Sequence, residues 1–263
     1  MDTTYPHLID SHFHLRAIER KGIDLSSLLD AMEQEGVHGI DVGLECDDLG
    51  ERIERFGRWE NIRFAAGIGP WGVAAEQGPI EEQVERLVGQ LDGGGAVAIG
   101  EIGLDNHWQY GSPSLQERLL LIQMDLAEER NLPVIIHNRE ADNQFITILQ
   151  QRSFSRRGIF HCYQDGEELA RLAVEKGFFI SFAGPLTYKA NGRMQELFAA
   201  LPLSSLLLET DSPYLSPVPL RGRTNTPRSM IHIYRQAAHL RAMELSDLAQ
   251  AIWENYHSFL AGN

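Results

Sequence analysis

Only two cysteines, Cys46 and Cys162, occur in 263 residues. Such a pair cannot build a disulfide framework, so a reducing compartment is expected. No apolar run approaches the roughly 18 residues that a membrane span needs. The opening stretch from Met1 to Asp10 has no basic segment followed by an apolar one, so no signal peptide is expected. These absences point to a cytoplasmic protein with no membrane role and no evident obligate protein partner. Positive charge is scarce too: 23 Lys and Arg face 37 Asp and Glu, for a net charge of −14. An acidic surface repels polyanions at long range and argues against sequence-independent nucleic-acid binding. It weakens a nuclease without excluding one, because bound divalent cations would supply positive charge locally, where a phosphate sits. A glycine-rich dinucleotide turn is missing after the first strand. In its place stands Ser11-His12-Phe13-His14, which argues against an open doubly wound sheet.

Hydrophobic residues make up 43% of the chain, enough for a large core. The length is long for an ordinary domain but normal for one barrel of eight strand–helix units, which takes roughly 250 residues. Eight short β-type runs alternate with helical patterns: His7–Asp10, Gly39–Leu44, Arg63–Ile68, Ala96–Ile102, Pro133–His137, Gly158–His161, Phe178–Phe182 and Leu206–Thr210. Repeated βα units imply a parallel sheet. Eight of them imply closure, so the expected fold is α/β, a TIM-type (β/α)8 barrel forming one domain over residues 1–263. Leu115, Leu119, Ile122 and Leu126 recur at helical spacing behind an expected capping box, Ser114 with Glu117. Leu248, Ile252, Tyr256 and Phe259 form a second stripe. Both stripes read as core. The Pro/Arg-rich stretch from Pro213 to Pro227 reads as a site loop.

Barrel enzymes carry their chemistry at the C-terminal ends of the strands. There stand His12 and His14, whose i, i+2 spacing puts both rings on one face of an extended chain. Glu101 lies near the end of the fourth strand, His137 and His161 end the fifth and sixth, and Asp211 follows the eighth. One such coincidence is cheap, but six are not, and together they predict a shared metal site. Imidazole with carboxylate suits zinc, manganese or iron, whereas magnesium prefers an oxygen shell. Two divalent ions are expected, zinc or manganese before magnesium, with Glu101 placed to bridge them. Related barrels bridge with a carboxylated lysine. Lys21, Lys176 and Lys189 are the only lysines here, and none ends a central strand. Asp211 is the expected catalytic base for a metal-activated water. Glu209 is read as an outer partner of the ligands, and Arg139 as a substrate-binding clamp for phosphate, with a surface salt bridge as its alternative. The remaining histidines read as surface or structural.

Several stretches together resemble the TatD family of metal-dependent hydrolases, in the amidohydrolase superfamily. They are Ile9-Asp10-Ser11-His12-Phe13-His14, Gly100-Glu101-Ile102-Gly103-Leu104-Asp105, His137-Asn138-Arg139, His161-Cys162-Tyr163, Glu209-Thr210-Asp211-Ser212-Pro213 and Asn225-Thr226-Pro227. The resemblance spans nearly the whole chain. It implies a barrel, two divalent metals and phosphodiester hydrolysis of the 3′-5′ exodeoxyribonuclease kind. The substrate would be a single-stranded DNA end or a small phosphodiester. By that likeness His12, His14, Glu101 and Asp211 hold one metal, and Glu101, His137 and His161 the other. Two departures stand out. The family's Gly-x-His-Pro reads Gly67-Ile68-Gly69-Pro70 here, so a histidine expected to line the substrate pocket is missing, and restoring it by Gly69→His is expected to raise activity on DNA. The family's aromatic after Gly-Leu-Asp is Asn106. Hydrolysis of small amides, esters or lactones on the same site is the alternative, and a catalytically inactive binding protein is a third reading.

Overall fold

The computed structural model describes residues 7–108, 110–164 and 166–261. All eight expected strands form, with somewhat different bounds: β1 Leu8–Phe13, β2 Val37–Val42, β3 Ile62–Ala66, β4 Ala96–Asp105, β5 Val134–Arg139, β6 Ile159–Phe160, β7 Phe179–Phe182 and β8 Leu206–Leu208. They are hydrogen-bonded neighbours in chain order, β1 through β8, in one eight-stranded sheet. Phe13 bridges Ser212 in parallel, bringing the end of β8 back to β1. The fold is the expected TIM-type barrel, with helices between the strands. No helix among the described residues is long and apolar enough to cross a membrane.

Contacts group the chain into two compact units. The first comprises the chain up to Asp41, with Arg58–Ile62 and Ser181–Ser258. Here β1 pairs with β2 from Leu8 opposite Val37 to Phe13 opposite Asp41. The β1 backbone is held by Tyr234, whose hydroxyl accepts from the Ile9 amide at 2.9 Å and donates to the Ile9 carbonyl at 3.2 Å. Burial pushes that phenol's pKa far up, so it stays a neutral donor. The second expected stripe is core as read: Leu248, Ile252, Tyr256 and Phe259 are all buried.

The second unit comprises Val42–Gly57, Arg63–Ile180 and the C-terminal end from Phe259. It contains β4, β5 and β6, paired in parallel. Here the helix expected to open at Ser114 spans Pro113–Arg130 and differs from expectation in two ways. Its cap is Ser112, whose hydroxyl accepts from the Leu115 amide at 3.3 Å with Pro113 in the first turn, so Ser114 and Glu117 form no capping box. Proline preorganises the first helical position, which favours the start two residues earlier. Its inner face also departs from the apolar stripe. Leu119 and Leu126 are buried, but Leu115 is exposed and Ile122 half-buried, while Gln116 and Gln123 are buried.

Those glutamines face inward because each amide clamps a strand end. Gln116 accepts from the Asp105 amide at 2.8 Å and donates to the Asp105 carbonyl at 3.0 Å. Gln123 does the same for Ile68, at 2.7 and 2.8 Å. Each satisfies a backbone donor and a backbone acceptor that would be costly to bury unpaired. This support carries β4 past the expected end at Ile102, with Gly103 opposite His137 and Asp105 opposite Arg139. Gly103 has no substitute there: its φ is 156° and a Cβ would lie 1.9 Å from the His137 carbonyl oxygen.

Candidate metal centre

In the first unit His12 lies on β1 and His14 one residue past its end, still in extended backbone, so alternation brings both rings to one side as their spacing implies. Their Nε2 atoms lie 3.1 Å apart. Asp211 Oδ1 lies 3.5 Å from His14 Nε2 and 3.9 Å from His12 Nε2. Both histidines are buried, and Asp211 is half-buried. Asp211 takes a left-handed backbone conformation, φ 52°, which a short carboxylate side chain tolerates better than most. Its amide donates to the His12 carbonyl at 2.9 Å, tying ligand to ligand through the backbone.

Beneath this cluster lies Asp10, fully buried. It accepts from the Thr210 amide at 2.9 Å and the Thr210 hydroxyl at 2.6 Å, and from the His12 amide at 3.3 Å. Burial pushes its pKa well above the usual carboxylate range, against the hydrogen bonds from Thr210. Asn225 fixes the loop beyond: its side-chain amide donates to the Thr210 and Tyr214 carbonyls at 3.0 and 2.7 Å. Glu209 is fully buried and accepts from the Ser11 hydroxyl at 3.4 Å.

In the second unit, Glu101 Oε1 lies 2.7 Å from His137 Nδ1 and 2.9 Å from His161 Nε2, and those nitrogens are 3.4 Å apart. The other His137 nitrogen, Nε2, meets Asp105 Oδ2 at 3.1 Å. Asp105 Oδ1 in turn accepts from the His107 and Trp108 amides at 3.0 and 2.9 Å. Burial opposes charge on the His137 ring, but the hydrogen bonds to Asp105 and Glu101 outweigh it and hold its pKa above normal. Burial likewise pushes Asp105 up, and its bonds to His137 and Trp108 more than offset that. An orienting carboxylate behind a histidine fixes the tautomer and raises basicity toward a cation.

The structure thus groups the six predicted ligands as two sets, each of two imidazoles and one carboxylate, and each with its ligand atoms within 4.8 Å of one another. Donors about 2.1 Å from one tetrahedral ion stand about 3.4 Å apart, close to the separations in both sets. The donor chemistry fits a borderline divalent ion. Arg139, at the end of β5, is exposed, with its guanidinium carbon 5.7 Å from the centre of the Trp108 ring. The expected alternative, a salt bridge, is not formed among the described residues.

The space of the missing Gly69 side chain is taken. A Cβ there would lie 2.3 to 2.5 Å from three atoms of the Trp71 ring. That indole donates to the Leu44 carbonyl at 3.1 Å, and its ring centre is 6.4 Å from that of His137. Sequence reasoning missed Asp10 and Asp105 as supports. Their signal was present, since both sit inside the quoted motifs two and four residues from a ligand. Nothing in the sequence linked Trp71 or Trp108 to His137.

The TatD related DNase family matches residues 9–261. The chain belongs to that family. A metal-dependent hydrolase of Bacillus subtilis, YabD, is 34% identical over 250 residues, covering 94% of this chain and 96% of the relative. The 3′-5′ ssDNA/RNA exonuclease TatD of Shigella flexneri is 34% identical over 223 residues, covering 81% and 84%. A solved TatD homologue of Escherichia coli superimposes with a TM-score of 0.88 at 28% identity, covering 97% of this chain and 98% of that one. Membership in the TatD family makes this protein a metal-dependent hydrolase.

Proposed function

We propose that the protein hydrolyses phosphodiester bonds and shortens single-stranded nucleic acid from its 3′ end. It would use one divalent cation at His12, His14 and Asp211 and another at Glu101, His137 and His161. The observation that carries this reading is the pair of compact imidazole–carboxylate sets, with His12 and His137 on β1 and β5, His14, His161 and Asp211 just past β1, β6 and β8, and Glu101 within β4 rather than at its end. The likeness to the Shigella flexneri exonuclease favours a phosphodiester over an amide or lactone.

A bound divalent cation lowers the pKa of a coordinated water toward about 7 and polarises a phosphoryl oxygen. The Asp211 carboxylate accepts the proton of the attacking water. The water oxygen forms the new bond to phosphorus, the bond to the leaving sugar oxygen breaks, and Asp211 returns the proton to that oxygen. Asp105 holds the His137 ring in the tautomer that presents Nδ1. Asp10 accepts from the Thr210 amide, and Asn225 donates to the Thr210 and Tyr214 carbonyls, so the backbone on either side of Asp211 is held. Arg139 offers a guanidinium to a non-bridging phosphate oxygen.

The test is a time course with metal-replete protein on a 5′-labelled single-stranded oligonucleotide, beside a lactone and an amide. A ladder shortening stepwise from the 3′ end is expected. An intact oligonucleotide with turnover of the lactone or amide overturns the reading.

A further inference from the structure

Trp108 is 52% exposed, an unusual place for the largest apolar side chain. It is nonetheless fixed in position. The amides of His107 and Trp108 both donate to Asp105 Oδ1, and Asp105 Oδ2 meets His137 Nε2. One carboxylate therefore ties the backbone carrying the indole to a histidine of the candidate metal set. The Arg139 guanidinium lies toward the same ring, 5.7 Å from its centre, and forms no ion pair among the described residues. Arg139 is two residues past His137 on β5, and its carbonyl accepts from the Asn106 amide at 2.9 Å. The neighbouring acid, Glu140, is engaged by His107 at 2.8 Å instead.

An exposed indole face with a cation beside it is the chemistry that grips a single-stranded nucleotide. The ring stacks on any base and the cation meets the phosphate. A chain with a net charge of −14 cannot hold a polyanion by diffuse attraction, so local contacts must supply the grip. We propose that Trp108 and Arg139 form a nucleotide-recognition step, the indole stacking on the terminal base and the guanidinium holding the adjoining phosphate. This rests on the exonuclease reading above and adds to it a requirement for a base, whatever its identity, at the end being removed. The aromatic absent at Asn106 is thus supplied two residues later.

The test compares two single-stranded oligonucleotides that differ only in the 3′-terminal residue, one with its base and one abasic. The native protein should favour the base-bearing end in kcat/KM by roughly fivefold to a hundredfold, the range for one stacked base. Trp108→Ala should bring that ratio to about one, and Trp108→Phe should restore most of it. Arg139→Ala should lower kcat/KM on both ends alike. A ratio unchanged by Trp108→Ala overturns the proposal. So does a native ratio of one, which leaves the exonuclease reading standing. Failure of the native, metal-replete protein to shorten either oligonucleotide overturns both.

Discussion

A short carboxylate in a left-handed backbone position, such as Asp211 at φ 52°, can be exchanged for the matching amide without disturbing the chain. Asp211→Asn therefore isolates the chemistry from the fold. We expect it to lower kcat by about 10² to 10⁴, the usual worth of a positioned base, with a melting temperature in chelator close to that of metal-free native protein. Near-native kcat would remove Asp211 from its catalytic role. Gly69 teaches a different lesson. Restoring the family's histidine looks favourable when the sequence is read alone, but the Trp71 ring fills the place the side chain would enter. Gly69→His should destabilise the protein by roughly 1 to 3 kcal/mol, as overpacking does, and leave activity on DNA no higher. Gly69→His should cost less stability when added to Trp71→Ala, which removes the ring, than when added to the native protein. Denaturant melts of these variants and the native protein decide this, and equal stability of Gly69→His and native protein would remove Trp71 as the obstacle.

Among the elements, the helix Pro113–Arg130 shows what periodicity reads and what it misses. A stripe of leucines implies an apolar inner face, yet two of the side chains turned inward are glutamines. They are kept by the backbone of other elements, which an apolar replacement would leave unsatisfied. Gln123→Leu should lower the unfolding free energy by about 1 to 3 kcal/mol despite the added apolar surface, because the Ile68 amide and carbonyl lose their partner. A denaturant titration showing native or higher stability would refute that account. Strand existence was legible from short Val, Ile, Leu and Phe runs, but strand ends were not. The extension of β4 to Asp105 depends on Gln116, whose amide lies in the following helix.

For the molecule as a whole, metal content and stability are linked. Two sets of two imidazoles and a carboxylate should bring metal-replete protein close to two divalent ions per chain by elemental analysis. A value near zero after exposure to zinc and manganese would dismiss both sites. Ligand bound to the folded chain stabilises it by RT ln(1 + [L]/Kd), about 2.7 kcal/mol per site at a hundredfold excess over Kd. Chelation should therefore lower the melting temperature, and Asp211→Asn should shrink that shift by weakening one set. A melting temperature indifferent to chelator would contradict resident metals.

The order of strands and helices, the barrel and the six candidate ligands were written in the sequence, because hydrophobic periodicity and residue chemistry at strand ends are local. Even the pairing of His12 with His14 follows from two-residue alternation. The grouping of ligands into sets, which only the family resemblance implied, was not local: Glu101 meets His137 and His161 on two other strands, the latter across 60 residues. Nor was the space taken by Trp71, the inward turn of Gln116 and Gln123, or the approach of Arg139 to Trp108. Each depends on where a second element lies when the first arrives. Side-chain packing in three dimensions decided them, since no periodicity along one segment records the shape of the space that another segment fills.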